Sequence, residues 1–475
     1  MPALPDGFGL ALDPALHRYR DGTVLAGGRP GRVVTLTSDG ARSLDALVAG
    51  GPSDPATRTL AGRLVAAGMA HPRRPVAHPD STTPPTGSDV TVVVPVHDRL
   101  PALADCLRSL GRSVPVVVVD DGSADPGAVA DLCRRHGARV VHRPVNGGPG
   151  VARGSADDLV ATGLVAYVDS DCTVPDGWLD DLLWHFADPG VAAVAPRIRP
   201  AAPSSHSRRR SIDRFGRSHS PLDLGPDEGE VGPDRAVRYV PTAALVVRRA
   251  ALHAVGGFDP GLRVGEDVDL VWRLVEAGWR IRYEPDVTVS HVEPDRWRDL
   301  LGRRLRYGTS AAPLAVRHPG RLAPVELRLR PAAAAAALLA GRPVLAGAVV
   351  AASAVPLART VAPLGIPAFQ AWRWAGGAAG WTVMGLGRAA TMLAGPGLVG
   401  LAASGRRGRR AAAALVLVPP IVDWVRLRPD LDLPRWVLAS VADDVAYGAG
   451  VWIGSFRDRT AAPLLPSVVA VRTDS

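Results

Sequence analysis

The six residues "YVDSDC", Tyr167–Cys172, close a short apolar run (Gly163 to Ala166) with two carboxylates, Asp169 and Asp171, one serine apart. On an extended chain, positions i and i+2 face the same side. Two like charges there repel unless something positive lies between them, and a divalent cation with oxygen ligands is the obvious remedy. Taken alone, the stretch reads equally well as an acidic turn closing a strand. The neighbouring segments decide.

Outward from this point, Val90 to about Val316 alternates apolar strands with helical stretches. Val90–Val96, Pro115–Val119, Ala138–His142, Leu164–Val168 and Val191–Ala195 read as strands; Leu100–Leu110, Pro126–His136 and Gly150–Ala161 have helical spacing. This βαβ rhythm predicts an open α/β sheet, whose ligands bind at the carboxyl ends of its strands. Asp98, Asp120, Asp121, Asp169 and Asp171 all fall at such ends.

Composition narrows the partners. With 475 residues, two or three modules are expected. All 55 cations are Arg and Asn146 is the single Asn, a bias of the kind a GC-rich gene produces, so the Arg content is a poor sign of nucleic-acid binding. The surplus of +9 is spread along the chain, with dense local clusters at Ser207–Arg210, Arg303–Arg306 and Arg406–Arg410. The last two flank an apolar region, where an anionic membrane surface is the natural partner. Cys106, Cys133 and Cys172 show no C-x-x-C spacing, which predicts neither disulfides nor zinc and suits a reducing cytosol. Cys172, beside the acidic pair, is a soft ligand poorly matched to a hard cation. Residues 1–13 lack a basic start and a long apolar core, so no signal peptide is predicted.

The two ends differ from the middle. Residues 1–75 read as two short strands and two helices, the first helix entered at Ser38 or Asp39, the second placing Leu60, Leu64, Val65 and Met69 on one face. That is enough for a small winged-helix-like module. The Pro/Ser/Thr-rich stretch that follows, His71–Asp89, reads as a linker. Near the C-terminus, Pro331–Leu357 and Trp374–Leu401 are rich in Ala, Leu, Val and Gly, with lone arginines at 342 and 388. Each is long enough to cross a bilayer, although helices lying in the interface fit as well. An inserted hairpin would keep its basic flanks in the cytosol.

Three further stretches carry chemistry. "VVVVDDGSADP" (Val116–Pro126) ends a strand on Asp120 and Asp121, able to accept from a base N–H or ribose hydroxyls, or merely to close a turn. "NGGPGVARGSA" (Asn146–Ala156) is a glycine-rich loop opening a helix, which brings N–H groups toward phosphate. Its G-x-G spacing follows the third strand, the wrong place for a dinucleotide fingerprint. Glu266 and Asp267 open a helix, where carboxylates suit the dipole and could equally supply a base. "VTVSH" ends a strand on His291.

In chain order, "VVVPVHDR", "VVVVDDGS", "NGGPGVARG", "YVDSDC", "VGGFDPGLRVGEDVDLVWR" and "VTVSH" resemble the motifs of the inverting family-2 glycosyltransferases. The resemblance implies an α/β fold: a GT-A nucleotide-diphospho-sugar transferase domain over 90–320. The winged-helix-like α+β module (1–75) and linker (76–89) precede it, and a C-terminal hydrophobic helical region (321–475) follows. It implies that Asp98 and Asp121 hold the nucleoside, with Asp120 beside them. Pro95, His97, Asn146, Gly148, Arg153 and Ser170 lie in the motifs that line the nucleotide sugar. Asp169 and Asp171 would be the metal-binding DxD pair for Mg²⁺ or Mn²⁺, with His291 as third ligand, and Asp267 the catalytic base with Glu266 at its side.

The three-part layout is similar to that of the mycofactocin-system glycosyltransferases, which implies a UDP-glucose donor and a small peptide-derived acceptor, premycofactocin. The N-terminal piece resembles the peptide-chaperone domain of the pyrroloquinoline-quinone pathway, implying contact with acceptor or pathway proteins. Rival readings are a transferase of cell-envelope polysaccharide or polyprenyl-phosphate sugar synthesis, and a non-catalytic nucleotide- or peptide-binding protein.

Overall fold

The computed structural model describes residues 3–28, 31–51, 53–75, 84–202 and 210–469. They form two compact units, one from residues up to Ala202 together with Ser220–Val292, the other from the segment ending at His219 together with the chain from Glu293.

The first unit begins with β1 (Gly9–Leu12), β2 (His17–Tyr19), β3 (Val24–Gly27), β4 (Arg32–Thr35), α1 (Ser38–Val48), α2 (Pro55–Ala66) and β5 (Ala70–Arg73). There are more strands than the sequence suggests, because three- and four-residue strands are too short to show a period. α1 is capped by Thr37, whose hydroxyl accepts from Gly40 N at 3.0 Å, one residue before the expected caps. Of the expected apolar face, Leu64 and Val65 are buried in α2, Leu60 is half-buried, and Met69 is buried just past the helix end. His71–Arg73, assigned above to the linker, is instead a strand paired antiparallel with β1. Its backbone hydrogen bonds are satisfied by the ladder, which composition does not reveal. Residues 76–83 of the expected linker, and 207–209 of the first basic cluster, lie outside the described residues.

The main sheet follows: β6 (Val90–Val96), α3 (Leu100–Leu110), β7 (Val116–Asp121), α4 (Pro126–His136), β8 (Arg139–Arg143), α5 (Pro149–Gly154), β9 (Leu164–Val168), β10 (Cys172–Thr173), α6 (Trp178–Leu183) and β11 (Val191–Pro200). After α7 (Ser211–Ser218), which belongs to the second unit, come β12 (Gly229–Glu230), β13 (Ala244–Arg248), α8 (Arg249–Ala254), α9 (Glu266–Glu276) and β14 (Arg280–His291). The strand order is β10-β14-β11-β13-β9-β6-β7-β8, with β12 on β14. β9, β6, β7 and β8 run parallel, while β13 lies antiparallel to β9 and β11. The βαβ rhythm thus holds for the first half and gives way to a mixed sheet. Every residue of β6 is buried, as expected of a strand covered on both faces. The helix read over Gly150–Ala161 stops at Gly154, followed by a 3₁₀ turn.

The N-terminal strands and helices share a core with this sheet domain: Leu4, Phe8, Leu44 and Leu64 pack with Trp184 and Ala187. The Phe8 and Trp184 rings are 6.0 Å apart. Arg73 grips Glu228 through two bonds of 2.9 and 2.6 Å, and Arg235 donates to the Ala66 carbonyl. The module is docked rather than loosely tethered.

The second unit adds α10 (Trp297–Gly308), α11 (Ala311–Arg317), β15 (Glu326–Leu327), α12 (Leu329–Leu339), α13 (Pro343–Val361), α14 (Ala368–Leu393), α15 (Gly395–Ala403), α16 (Arg406–Leu427), α17 (Leu433–Arg457) and β16 (Ser467–Val468). It starts before the boundary at residue 320 that the resemblance implies, because α10 is amphipathic and packs on α17. Ile212, Phe215, Leu300 and Trp436 form its core. Asp443, buried in α17, is held by Arg304 at 2.9 Å and lies 3.5 Å from His219. Neither apolar stretch is one straight helix. Gly341, at φ +69°, ends α12, and Pro343 opens α13. α14 and α15 meet at 106°. Only Pro343–Leu364, 22 residues and mostly exposed, is by itself long and apolar enough to cross a membrane among the described residues.

Candidate active site

The crevice at the carboxyl ends of β6, β7 and β9 gathers most of the expected residues, but several carboxylates there are already occupied. Asp121 accepts from Gly147 N and Gly148 N, at 3.0 and 2.8 Å, and from Arg143 Nε at 2.8 Å. It clamps the glycine-rich loop to the end of β7. Gly122, at φ +79°, leaves no room for a side chain, since a Cβ would sit 2.9 Å from Asn146 N. Asp120 is buried, accepting from Ser123 N at 3.0 Å, with His142 Nδ1 at 2.8 Å. Burial works against its charge, but the Ser123 and His142 bonds outweigh it and hold the carboxyl below its usual range. Asp98 adopts φ +56°, and its Oδ1 accepts from Ala124 N at 2.7 Å. These three side chains tie the loops of the crevice together.

Pro95 is buried within β6, whereas His97 is exposed, with Nε2 3.4 Å from Asp98 Oδ2. The carbonyl of Asn146 accepts from Arg263 Nη2 at 2.6 Å, and Gly148, at φ +93°, opens α5. Ser170 is buried between the two DxD carboxylates.

Arg153 organises the centre. Only 2% exposed, it donates from Nη2 to Asp169 Oδ1 at 2.5 Å and from Nη1 to Glu266 Oε1 at 3.0 Å. Its guanidinium also lies over the Phe258 ring, 5.7 Å from the centroid. A Cβ on Gly150 would stand 3.1 Å from Glu266 Cγ, so glycine lets α5 approach the start of α9. Burial and the adjacent Asp267 push the Glu266 carboxyl up to about 7, against the pull of Arg153. Burial also raises the Asp267 carboxyl, although Val268 N donates to it at 2.8 Å.

The expected metal ligands are brought near one another without being gathered into a ready cluster. Pairing of β10 with β14 sets His291 opposite Cys172, with His291 Nε2 3.6 Å from Asp171 Oδ2. Asp171 is also contacted by Arg99, and Asp169 turns to Arg153. Among the described residues, no group of three or more His, Cys, Asp or Glu side chains forms a metal-holding set. Oxygen donors with one imidazole still suit a hard divalent cation, and each acidic partner now faces an arginine, which marks a site built for positive charge. Cys172 is buried, and burial pushes its thiol up. Arg99, Arg143 and Arg263 escaped the sequence reading. Arg99 and Arg263 fall within acidic motifs of the sequence, yet in a chain whose cations are all Arg nothing distinguished them.

Residues 91–253 match the glycosyl transferase family 2 model. The chain is 38% identical over 490 aligned residues to the pre-mycofactocin glycosyltransferase of Mycobacterium tuberculosis, covering 98% of each chain. This chain belongs to the family-2 glycosyltransferases, in the family of the pre-mycofactocin glycosyltransferases. It is also 30% identical to the N-acetylglucosaminyl-diphospho-decaprenol L-rhamnosyltransferase of the same species, over 43% of this chain and 76% of that one. Among solved structures, a mannosyltransferase from Pyrobaculum calidifontis in complex with GDP-Man and Mn²⁺ is 22% identical with a TM-score of 0.38, covering 64% of this chain and 86% of that one. The family is enzymatic, and its catalytic part has the GT-A fold with a helical C-terminal region.

Proposed function

We propose that this enzyme transfers glucose from UDP-glucose to premycofactocin, with inversion, and builds a β-1,4-linked oligoglucoside. The observation that carries the reading is the meeting of the DxD end of β9 with Glu266 and Asp267 across Arg153, in a chain similar end to end to a pre-mycofactocin glycosyltransferase. Asp267 takes the proton of the acceptor hydroxyl as its oxygen attacks the anomeric carbon. The new C–O bond forms as the bond to UDP breaks, and UDP leaves with the electron pair. Asp98, Asp120 and Asp121 keep the loops around the nucleoside in place. Mg²⁺ or Mn²⁺, held by Asp169, Asp171 and His291, would supply positive charge against the departing diphosphate. Arg99 sits on the exposed side of Asp171, close enough to contribute positive charge to the same region.

We place the enzyme at the cytoplasmic face of the membrane, supported by the exposed apolar helix Pro343–Leu364 and by Arg406–Arg410 at the head of α16. The docked N-terminal module would then serve acceptor or partner recognition. Purified full-length protein is incubated with a panel of UDP-sugars and with premycofactocin or polyprenyl phosphate, with and without EDTA, and the products are weighed. Successive hexose additions to premycofactocin from UDP-glucose, abolished by EDTA, are expected. Product on polyprenyl phosphate alone overturns the acceptor assignment.

A further inference from the structure

Arg153 comes from the glycine-rich motif that the sequence assigns to the nucleotide sugar, yet both Nη atoms are turned inward onto protein carboxylates and the side chain is 2% exposed. Its two partners arise far apart in the chain, Asp169 at the end of β9 and Glu266 at the start of α9. The first belongs to the end of the crevice that faces the donor diphosphate, the second is the neighbour of the base. Guanidinium suits this task because its planar fork can donate to two carboxylates at once, which a single ammonium on a flexible stem does with poor geometry. The Phe258 ring beneath it and the absence of a side chain on Gly150 fix the fork in place.

We propose that Arg153 is a positioning residue that sets the distance between the donor-holding aspartates and Asp267, and that it does not bind the nucleotide. The inference rests on the transferase reading above. The donor is gripped on one side of this bridge and the acceptor hydroxyl is deprotonated on the other. Slack in the bridge therefore leaves donor binding intact while it misplaces the attacking oxygen, and small misplacements cost rate steeply.

The test uses the full-length enzyme and the variants Arg153→Lys, Glu266→Gln and their double mutant. Arg153→Lys keeps a buried positive charge, so it is the variant best able to fold; an unchanged melting temperature checks that it does. Expected for Arg153→Lys are UDP affinity, with Mn²⁺ present, within about threefold of wild type and kcat for transfer lowered by ~10–100-fold. Hydrolysis of the donor by water should fall less than transfer, since water needs no aligned acceptor. Because the arginine acts through Glu266, the double mutant should lose little more than the worse single variant. Hydrogen exchange of the segment Arg263–Leu270 should speed up in Arg153→Lys at constant global stability. UDP affinity falling in proportion to kcat would make Arg153 a donor ligand and overturn the proposal, as would wild-type transfer or unchanged exchange. The exchange and UDP-binding arms need no acceptor. A failed transfer assay with wild-type enzyme therefore refutes the functional reading while these arms still judge the bridge.

Discussion

Asp267 and Glu266 stand side by side in the first turn of α9, yet Glu266 is tied to Arg153 at 3.0 Å and Asp267 to no cation among the hydrogen bonds that hold the crevice. That difference supports the proposal that Asp267 is the proton acceptor. Asp267→Asn should keep UDP affinity and lower transfer by ~10²–10⁴; a larger loss in Glu266→Gln, measured in the same assay, would reverse the assignment. The pair also sets a pH dependence. Both carboxyls are raised, Glu266 to about 7 by burial and the neighbouring Asp267. As pH drops through that region Glu266 is protonated and its ion pair with Arg153 weakens, so kcat should fall there. Glu266→Gln removes this titration, and the limb near 7 should vanish from the pH profile of kcat. A limb that stays in place contradicts this coupling. On the metal side, if Mn²⁺ enhances UDP binding, titration calorimetry should show that Asp171→Asn abolishes the enhancement, because it removes the proposed ligand nearest His291.

At the scale of elements, the sites where two segments touch matter more than the segments themselves. α10 and α17 cross on glycine: a Cβ on Gly450 would collide with the Leu305 carbonyl, and one on Gly308 with the Tyr447 carbonyl. Gly450→Ala should therefore destabilise the helical unit by ~1–3 kcal/mol, visible as an earlier thermal transition. The same crossing limits where the chain can be cut. A truncation after Pro319 keeps α10 and α11 but removes α17, exposing Leu300 and stripping Arg304 of Asp443. Such a protein should aggregate during purification, and a soluble, monomeric product would show that the crossing matters little. The N-terminal module offers a second contact. Phe8→Ala deletes the ring that packs on Trp184 and should cost ~3 kcal/mol, read by denaturant unfolding of the full chain. A change near zero would mean that the shared core is incidental.

For the whole molecule, the docked module is part of what stabilises the sheet domain. A chain starting near Ser88 would lose more than an acceptor-gathering tether; it would uncover Trp184 and leave Glu228 without Arg73. Its transfer activity is thus expected to fall together with its stability, and only a variant with the module intact separates the two roles. Membrane association is the remaining whole-chain property. If α13 engages lipid, full-length protein should pellet with membranes and resist high salt, whereas protein found wholly in the soluble fraction would refute stable anchoring.

Much of this was legible in the chain itself. The alternation of apolar strands and helices is a local pattern, so β6, α3, β7, α4 and β9 could be read almost to the residue. The acidic residues could be placed at strand ends because a carboxylate has few other reasons to follow a buried run. The helical breaks at Gly341 and at Gly395–Pro396 were present as residues, but hydropathy averages over them. The partners of each charge depended on tertiary structure. Arg153, Asp169 and Glu266 meet only because β9 and α9 come together through a sheet of mixed direction, and Arg73 meets Glu228 only because the module docks. Sequence periodicity reports which side of an element is apolar; it carries no information on which distant charge will face which, since that is fixed by long-range packing.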